Sequence, residues 1–245
     1  MARMKFMNTE IDNLTMQETL QAIDQLIQEK KCAYVVTPNV DHIVQLEKNK
    51  ELQAVYENAS LILTDGKPLL WIAKWYGTPI KEKISGSDLF PLLCKMAAEK
   101  GYKMFFLGAA EGVATKAAAN LMNRFKRLQV TGTYSPSVGF EKDPAEMDKI
   151  KSMIKASGAD ILIVGLGCPK QEMFMYHHCA ELGVPISFGL GASFDFEAGN
   201  IKRAPQWMSK HGLEWLFRIT QDPKRLAKRY LVDDIKIIGL IRKYR

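Results

Sequence analysis

The stretch between residues 160 and 172, DILIVGLGCPKQE, constrains the fold more than any other part of this chain. It opens with four apolar residues in a row, 161–164, as in a central parallel strand that is buried on both faces. Gly165 and Gly167 then let the backbone turn sharply and let a ligand approach without an intervening Cβ. The next helix is expected to begin at Glu172, and a helix N-terminus favours an anionic ligand. The segment predicts a nucleotide-type site on a parallel sheet, although a tight turn without a ligand fits the same spacing.

Short apolar runs followed by amphipathic segments recur along the chain. The runs that predict strands are residues 33–37, 61–64, 103–107, 129–134, 161–164 and 186–188. The segments that predict helices are residues 16–29, 40–48, 50–59, 89–100, 112–125, 144–157 and 172–182. This alternation is typical of right-handed βαβ units. We therefore predict an α/β fold with a mostly parallel, Rossmann-like sheet flanked by helices.

The charge of the chain is concentrated near its C-terminus. Residues 201–245 contain 12 basic and 4 acidic residues, whereas residues 1–200 contain 22 basic and 23 acidic residues. This contrast divides the chain into a nearly neutral catalytic α/β body, residues 1–200, and a helical, amphipathic appendage, residues 201–245. One appendage helix is predicted over residues 206–220, and Asp222 and Pro223 begin a second.

The appendage interleaves Trp, Tyr and aliphatic residues with Lys and Arg, which suits the interface of an anionic membrane. Packing of the same apolar residues on the body or on a second subunit is an equal alternative. Nucleic-acid binding is disfavoured because the large apolar residues lie on the same helices as the charges.

The chain contains no apolar run of about 18 residues and no signal peptide, so a cytoplasmic protein is expected. Its four cysteines form no CxxC pair, which favours free thiols in a reducing compartment. His177, His178 and Cys179 lie close to Cys168 in the sequence, but their spacing fits no common zinc pattern. No metal site is predicted there.

Polar residues follow three of the predicted strands. Thr37 and Asn39 follow the first strand, Asp65 the second, and Gln171 a later one. In a parallel sheet these strand ends share one edge, where ligands bind. A carboxylate such as Asp65 can act there as a general base and an amide can orient sugar hydroxyls. Asp65 equally suits a purely structural turn.

Two further segments carry polar groups next to predicted helices. The run Ser85-Gly86-Ser87-Asp88 can cap a helix or bind phosphate through backbone N–H groups. Asp195, after the last strand, can accept hydrogen bonds from a ribose or a base. The chain lacks HExxH, GxSxG and P-loop motifs, and it lacks GxGxxG after the first strand. Protease, α/β-hydrolase, P-loop and dinucleotide oxidoreductase functions are therefore disfavoured.

Several motifs occur in a recognisable order. They are Thr37-Pro38-Asn39, Leu63-Thr64-Asp65-Gly66, Ser85-Gly86-Ser87-Asp88-Leu89, the GLGCPKQE run at 165–172, Ala204-Pro205-Gln206-Trp207, Gly212-Leu213-Glu214-Trp215 with Arg218, and Pro223-Lys224-Arg225. With these motifs the chain closely resembles the WecG/TagA/CpsF glycosyltransferases (glycosyltransferase family 26) over essentially its whole length.

The resemblance is strongest to members that build the linkage unit of wall teichoic acid in cell wall biogenesis. It implies a hexosyltransferase that adds N-acetylmannosamine (ManNAc) from UDP-ManNAc to the 4-hydroxyl of GlcNAc on undecaprenyl diphosphate, with inversion at the anomeric carbon. UDP-glucose and UDP-ManNAcA, used in polysaccharide synthesis, stay open as alternative donors.

The resemblance also implies roles for individual residues. Asp65 would be the general base, Thr37, Asn39 and Gln171 would line the donor sugar and diphosphate, and Asp195 would lie near the nucleotide. Lys83 stands where members often have arginine, and it keeps the charge but loses bidentate phosphate binding. The other expected substrate-binding positions are Ser85, Gly86, Asp88, Gly108, Gly165, Gly167, Pro169 and Glu172. The residues expected to contact the lipid acceptor and the membrane are Arg218, Arg225 and Arg229.

The remaining expectations from the resemblance concern cofactors, partners and location. No cofactor and no metal ion are expected. The partners are a UDP-sugar donor, an undecaprenyl-diphosphate-linked GlcNAc acceptor, an anionic membrane surface and further copies of the same chain, without nucleic acid. The protein would be peripheral on the inner face of the bacterial cell membrane.

Overall fold

The computed structural model of the protein describes residues 3–205, 207–208 and 211–245, with Arg225 described by its backbone alone. Two short antiparallel strands, β1 (Arg3–Phe6) and β2 (Thr9–Asp12), form an N-terminal hairpin that the sequence pattern did not predict. Asp12 connects this hairpin to the main sheet, because its Oδ2 accepts a hydrogen bond of 2.8 Å from the backbone N–H of Ile62.

A parallel sheet forms the centre of the described molecule. Its strands are β3 (Ala33–Val36), β4 (Leu61–Ile62), β5 (Lys103–Gly108), β6 (Gln129–Tyr134), β7 (Ile161–Gly165) and β8 (Ile186–Gly189). They are ordered β4-β3-β8-β7-β5-β6, and each neighbouring pair is parallel. The predicted α/β fold class is confirmed. The second strand is shorter than predicted and ends at Ile62 rather than at residue 64.

Helices cover both faces of this sheet. Those of the body are α1 (Met16–Glu29), α2 (Val40–Leu46), α3 (Lys50–Glu57), α4 (Lys67–Trp75), α5 (Gly86–Lys100), α6 (Val113–Arg124), α7 (Pro144–Ser157), α8 (Lys170–Leu182) and α9 (Gly191–Glu197). The C-terminal region contains α10 (Glu214–Gln221), α11 (Pro223–Lys228) and α12 (Ile237–Lys243). A π-helical turn, Arg229–Asp233, and a 3-10 turn, Asp234–Lys236, connect α11 to α12.

The central strands are buried on both faces, as the apolar run at 161–164 predicts. Leu162 and Val164 of β7 pack with Ile43 of α2 in one buried cluster. Ile161 and Ile163 point to the opposite face and pack in a second cluster. Successive side chains of a strand alternate between the two faces, so both faces need apolar residues.

The predicted helix over residues 206–220 is not one helix. Gln206, its expected first residue, lies outside the described residues, and the regular helix α10 begins only at Glu214. Gly212 interrupts the segment with a φ of +73°, and a Cβ at this glycine would lie 2.6 Å from Cη2 of Trp71. A left-handed turn pressed against a tryptophan from α4 cannot continue a right-handed helix. The helix predicted after Asp222 is confirmed as α11.

The prediction that all four cysteines are free thiols is wrong for two of them. Cys32 and Cys179 form a disulfide with their Cα atoms 5.7 Å apart, while Cys94 and Cys168 are free. The bonded cysteines are 147 residues apart. Only the packing of α8 beside β3 brings them together, so no local spacing could indicate the pair.

Candidate active site

A cavity of about 370 Å³ lies between the carboxyl edge of the sheet and the C-terminal segment. Its floor comes from the loops after β3 and β4 and from the residues before α5. Its other wall comes from α10, the π-helical turn and the start of α12. The lining side chains able to carry charge are Asp65, Lys67, Lys83, Glu214, Arg218, Arg229 and Asp234. The predicted body and appendage therefore contribute charged groups to one cavity.

Asp65 lies at the floor of this cavity. The apolar strand β4 ends three residues earlier, and the backbone N–H of Asp65 donates a 2.8 Å hydrogen bond to the carbonyl of Pro38. This bond fixes the loop after β4 against the loop after β3. Burial raises the pKa of Asp65, and the positive charges of Arg218 and Lys83 oppose that rise. A carboxylate with a raised pKa in a cavity that also holds cations is a candidate functional group.

Lys83 and Arg218 stand near Asp65 with acidic partners of their own. Nζ of Lys83 lies 2.8 Å from Oδ2 of Asp88 and 3.1 Å from Oγ of Ser85. A guanidinium nitrogen of Arg218 lies 2.8 Å from Oε1 of Glu214, one helical turn earlier. These carboxylates hold both cations in place at the cavity, where they can bind an anionic ligand.

Arg229 joins the C-terminal segment directly to a predicted donor-binding residue. Its Nη2 donates a 3.1 Å hydrogen bond to Oδ1 of Asn39, and its Nε lies 3.5 Å from Oδ2 of Asp41. Asn39 is the N-cap of α2, and its Oδ1 also accepts from the backbone N–H of His42. Arg229 and Asn39 are 190 positions apart in the chain. Folding of the C-terminal segment over the sheet edge therefore places Arg229 at the predicted donor site.

The structure brings five of the predicted residues to the cavity lining. Asn39, Asp65, Lys83, Arg218 and Arg229 line the cavity. Thr37 and Gln171 are buried near the same strand ends but are outside the lining formed by the described residues. Nε2 of Gln171 donates a 2.7 Å hydrogen bond to Oε1 of the buried Glu172.

The segment 85–88 begins α5 and holds Lys83 rather than lining the cavity. Oγ of Ser85 donates a 2.5 Å hydrogen bond to Oδ2 of Asp88, and Arg203 lies 3.1 Å from Oδ1 of the same carboxylate. Gly86 packs closely on the loop after β8, since a Cβ there would lie 3.0 Å from Cδ2 of Leu190.

Gly108 and Gly165 permit a close approach of two strand ends. Gly108 has a φ of +108°, and a Cβ there would lie 2.4 Å from the carbonyl oxygen of Gly165. A Cβ on Gly165 would in turn lie 2.6 Å from the ring of Phe194. Gly167 has a φ of +76° and precedes the cis peptide bond between Cys168 and Pro169. Pro169 is the N-cap residue of α8.

Asp195 is not among the described residues that line the cavity, and the position of the Arg225 side chain is not described. Asp195 is on α9, where its Oδ1 accepts a 3.4 Å hydrogen bond from Asn200 and its backbone carbonyl accepts from the N–H of the same residue. Arg225 is on α11, and its side chain lies outside the described part of the chain.

Sequence reasoning missed two acidic groups of the cavity and one buried histidine. Glu214 pairs with Arg218 at i, i+4 spacing, which was a usable signal. Burial raises the pKa of Asp234 to about 6, and Arg229 opposes this rise. His42 lies with Cys168 and Glu172, and one ligand-type atom from each falls within 4.8 Å of the others. The histidines near Cys168 in sequence point elsewhere, since His177 pairs with Glu51 and His178 with Glu181.

A comparison with known protein families indicates which kind of reaction a cavity with these charged groups supports. The model of the glycosyl transferase WecG/TagA/CpsF family matches residues 4–245. This chain belongs to that family. The match spans both the α/β body and the C-terminal segment, so the residues that form both walls of the cavity lie within the matched range.

Two bacterial enzymes illustrate the similarity. One, from Bacillus spizizenii strain W23, is 32% identical over 223 residues, which cover 91% of this chain and 83% of the relative. Another, from Bacillus subtilis strain 168, is 29% identical over 199 residues, which cover 81% of this chain and 75% of the relative. Both are named N-acetylglucosaminyldiphosphoundecaprenol N-acetyl-beta-D-mannosaminyltransferase.

No helix among the described residues is both long enough and apolar enough to cross a bilayer. Many of the exposed large apolar side chains lie in the C-terminal segment and on α4. Those in the C-terminal segment are Trp207, Trp215, Leu216, Leu231, Val232, Ile235 and Ile238, and those on α4 are Trp71 and Trp75.

Proposed function

We propose that this glycosyltransferase moves ManNAc from UDP-ManNAc to the 4-hydroxyl of GlcNAc on undecaprenyl diphosphate. This transfer would be a step in the synthesis of the linkage unit of wall teichoic acid. The names of both relatives describe this acceptor and this sugar, and similarity covers most of each chain. The observation that carries the proposal is the position of Asp65, a carboxylate with a raised pKa in a cavity that also holds Lys83, Arg218 and Arg229.

Asp65 acts as the general base in this proposal. Its carboxylate takes the proton of the acceptor 4-hydroxyl while the hydroxyl oxygen attacks the anomeric carbon of the donor sugar. The bond between that carbon and the diphosphate oxygen breaks, and UDP leaves with the electron pair. A single displacement without a covalent sugar intermediate inverts the anomeric configuration.

Lys83, Arg218 and Arg229 provide the positive charge for the two diphosphates in the reaction. Each lines the cavity, and a guanidinium can bind a phosphate through two parallel hydrogen bonds. Charge that develops on the leaving UDP is stabilised by such fixed cations. We therefore expect the transfer step to proceed without a metal ion.

The amides near the floor would orient the donor. Asn39 presents its side chain to the cavity, and Thr37 and Gln171 lie at neighbouring strand ends. Oε1 of Gln171 is buried and has no hydrogen-bond partner among the described residues, so it is available to accept from a sugar hydroxyl after a small shift. Asp195 and the loop at 189–192 would lie toward the nucleotide.

The acceptor lipid remains in the bilayer, so the enzyme must come to the membrane. The C-terminal segment carries exposed aliphatic residues together with lysines and arginines, which suits an anionic surface. We infer peripheral attachment to the inner face of the cell membrane. As in the expectation from the family, we propose that copies of the chain also self-associate.

The donor is tested by measuring UDP release from UDP-ManNAc, UDP-glucose and UDP-ManNAcA, each with and without a lipid-diphosphate-GlcNAc acceptor. We expect acceptor-dependent release with UDP-ManNAc. If UDP is released with one of the other donors instead, the enzyme is still a glycosyltransferase but its donor is not UDP-ManNAc. A neutral sugar is favoured because Lys83, Arg218 and Arg229 are assigned here to the two diphosphates rather than to the sugar.

A further inference from the structure

His42, Cys168 and Glu172 form a cluster of three different metal-ligating groups beneath the candidate active site. His42 is in the first turn of α2, Cys168 follows β7, and Glu172 is in the first turn of α8. One nitrogen, one sulfur and one carboxylate oxygen lie within 4.8 Å of one another. His42 and Glu172 are buried and Cys168 is half-buried, so the cluster can be approached from the side of the cysteine.

The distance between two of the three groups is that of ligands around one ion. Nε2 of His42 lies 3.5 Å from Oε1 of Glu172. A charge-assisted N–H···O hydrogen bond would bring such atoms to about 2.7–2.9 Å. Two tetrahedral zinc ligands, each about 2.0–2.2 Å from the ion, stand about 3.4 Å apart.

The surroundings orient two of these ligands. Nδ1 of His42 lies 2.8 Å from Oδ1 of Asn39, so a ring that donates this N–H directs Nε2 into the cluster, where loss of its proton would leave a lone pair for a metal ion. Gln171 donates to Oε1 of Glu172. Hydrogen bonds of this kind from outer groups are typical of metal-bound histidine and carboxylate.

Glu172 provides independent evidence for a missing partner. Its side chain is 1% exposed, and its Oε2 has no hydrogen-bond partner among the described residues. A buried carboxylate oxygen without a partner is costly, and coordination of a cation would satisfy it.

We propose that this cluster binds a thiophilic divalent cation of the zinc class. A thiolate and an imidazole select zinc-like ions over magnesium and calcium, which prefer oxygen ligands. On binding, the thiol of Cys168 and any proton on Nε2 of His42 are released to solvent. The ion would link the start of α2, next to its N-cap Asn39, to the loop after β7 and to the first turn of α8, which carries Gln171. It would take no part in the transfer step.

Cobalt(II) is the probe that tests this site directly. Full-length protein is treated with a chelator, and Co²⁺ alone is then titrated. We expect one equivalent to produce the thiolate-to-cobalt charge-transfer absorption and the visible bands of a tetrahedral site. Zn²⁺ should remove both signals and raise the thermal unfolding midpoint.

Substitutions locate the site. Cys168→Ser should abolish the charge-transfer band, and Glu172→Gln, which preserves side-chain shape, should weaken Zn²⁺ binding by more than about 100-fold. Cys94→Ser, at the other free cysteine, is the matched control and should keep the band. If Co²⁺ gives no such band, or if the band persists in Cys168→Ser or disappears in Cys94→Ser, the proposal is overturned. His42 and Glu172 would then form an ion pair without a metal.

Discussion

At the level of single residues, Asp65 is subject to opposing influences on its pKa. Burial raises it, whereas Arg218 and Lys83 lower it. The three groups line one cavity, so the protonation of Asp65, the proposed base, depends on cations contributed by both walls. One of those cations, Arg218, comes from the C-terminal segment, so the folding of that segment affects the chemistry at the strand end.

The acid limb of the pH profile should report this coupling. A general base works only when it is deprotonated, so kcat/KM falls as the pH falls through the pKa of Asp65. Arg218→Gln removes a positive charge that lowers this pKa, and the acid limb should therefore move to higher pH. The measurement is kcat/KM against pH for wild type and variant. Arg127→Gln, at an exposed body residue, should leave the limb in place. If the acid limb of Arg218→Gln lies at the same pH as that of wild type, Arg218 does not influence the pKa of the group that limits the rate.

At the level of elements, the ends of β5 and β7 approach each other more closely than side chains would allow. Gly108 combines a φ of +108° with a position against the carbonyl of Gly165, whereas Gly101 has a φ of +78° and open space around it. The two glycines separate the effect of backbone conformation from that of crowding.

Gly108→Ala should destabilise the protein by about 3 kcal/mol, because it adds overpacking to backbone strain. Gly101→Ala has only the strain and should cost about 1 kcal/mol. Urea unfolding monitored by circular dichroism gives both free energies of unfolding. Equal losses in the two variants would contradict the crowding inferred at the strand ends.

Local sequence patterns predicted those elements whose boundaries depend on residues nearby in the chain. The helix predicted over residues 16–29 is confirmed as α1, and its start is fixed by a local capping box, with the N–H of Thr15 bonded to Glu18 and the N–H of Glu18 bonded to Oγ1 of Thr15. The single helix over 206–220 was wrong, because Trp71 from another element occupies the space beside Gly212.

The candidate site was predictable only where it follows strand ends. The topology of a parallel sheet indicated that Asn39 and Asp65 lie on one edge, and the structure places both at one cavity. The contact of Arg229 with Asn39 and the cluster of His42 with Cys168 join residues that are distant in the chain. Such contacts depend on tertiary packing, which spacing does not encode.

At the level of the whole molecule, the C-terminal segment folds back onto the body. Ile237, Leu240 and Ile241 pack against a buried cluster of the body. The hydroxyl of Tyr76 donates a 2.8 Å hydrogen bond to the carbonyl of Ile241, and the hydroxyl of Tyr244 lies 2.9 Å from Oε2 of Glu47. The segment thus closes the cavity from above while keeping other apolar residues exposed.

Truncation after residue 200 should leave a folded body with little activity. It removes Arg218 and Arg229 from the cavity, and loss of fixed groups that stabilise developing charge lowers rates by about 100-fold or more. Truncation after residue 236 removes α12 and the two residues after it but keeps Arg218 and Arg229, so it is the matched control, with a smaller loss expected. The assay is transfer to the lipid acceptor, with circular dichroism as the test of folding. Full activity in the shorter protein would contradict a role for the C-terminal segment.

The exposed apolar residues near α12 should determine membrane binding. Val232 and Ile235 are each more than half exposed, and burying such side chains contributes about 1.5 kcal/mol or more apiece. Replacing both with serine should weaken binding to anionic vesicles by about 100-fold in sedimentation. Val138→Ser, at an exposed apolar residue of the body, should leave binding unchanged. Equal binding by the double variant would show that another surface contacts the lipid.

Asp65 is proposed here as the general base of a UDP-sugar transferase. The most direct measurement is acceptor-dependent UDP release from UDP-ManNAc by wild type and by Asp65→Asn, with the exposed Asp148→Asn as control. Loss of a general base should reduce the rate by about 100- to 10,000-fold in Asp65→Asn alone, with unchanged folding. A rate in Asp65→Asn equal to that of wild type would contradict the account and place the base at another residue.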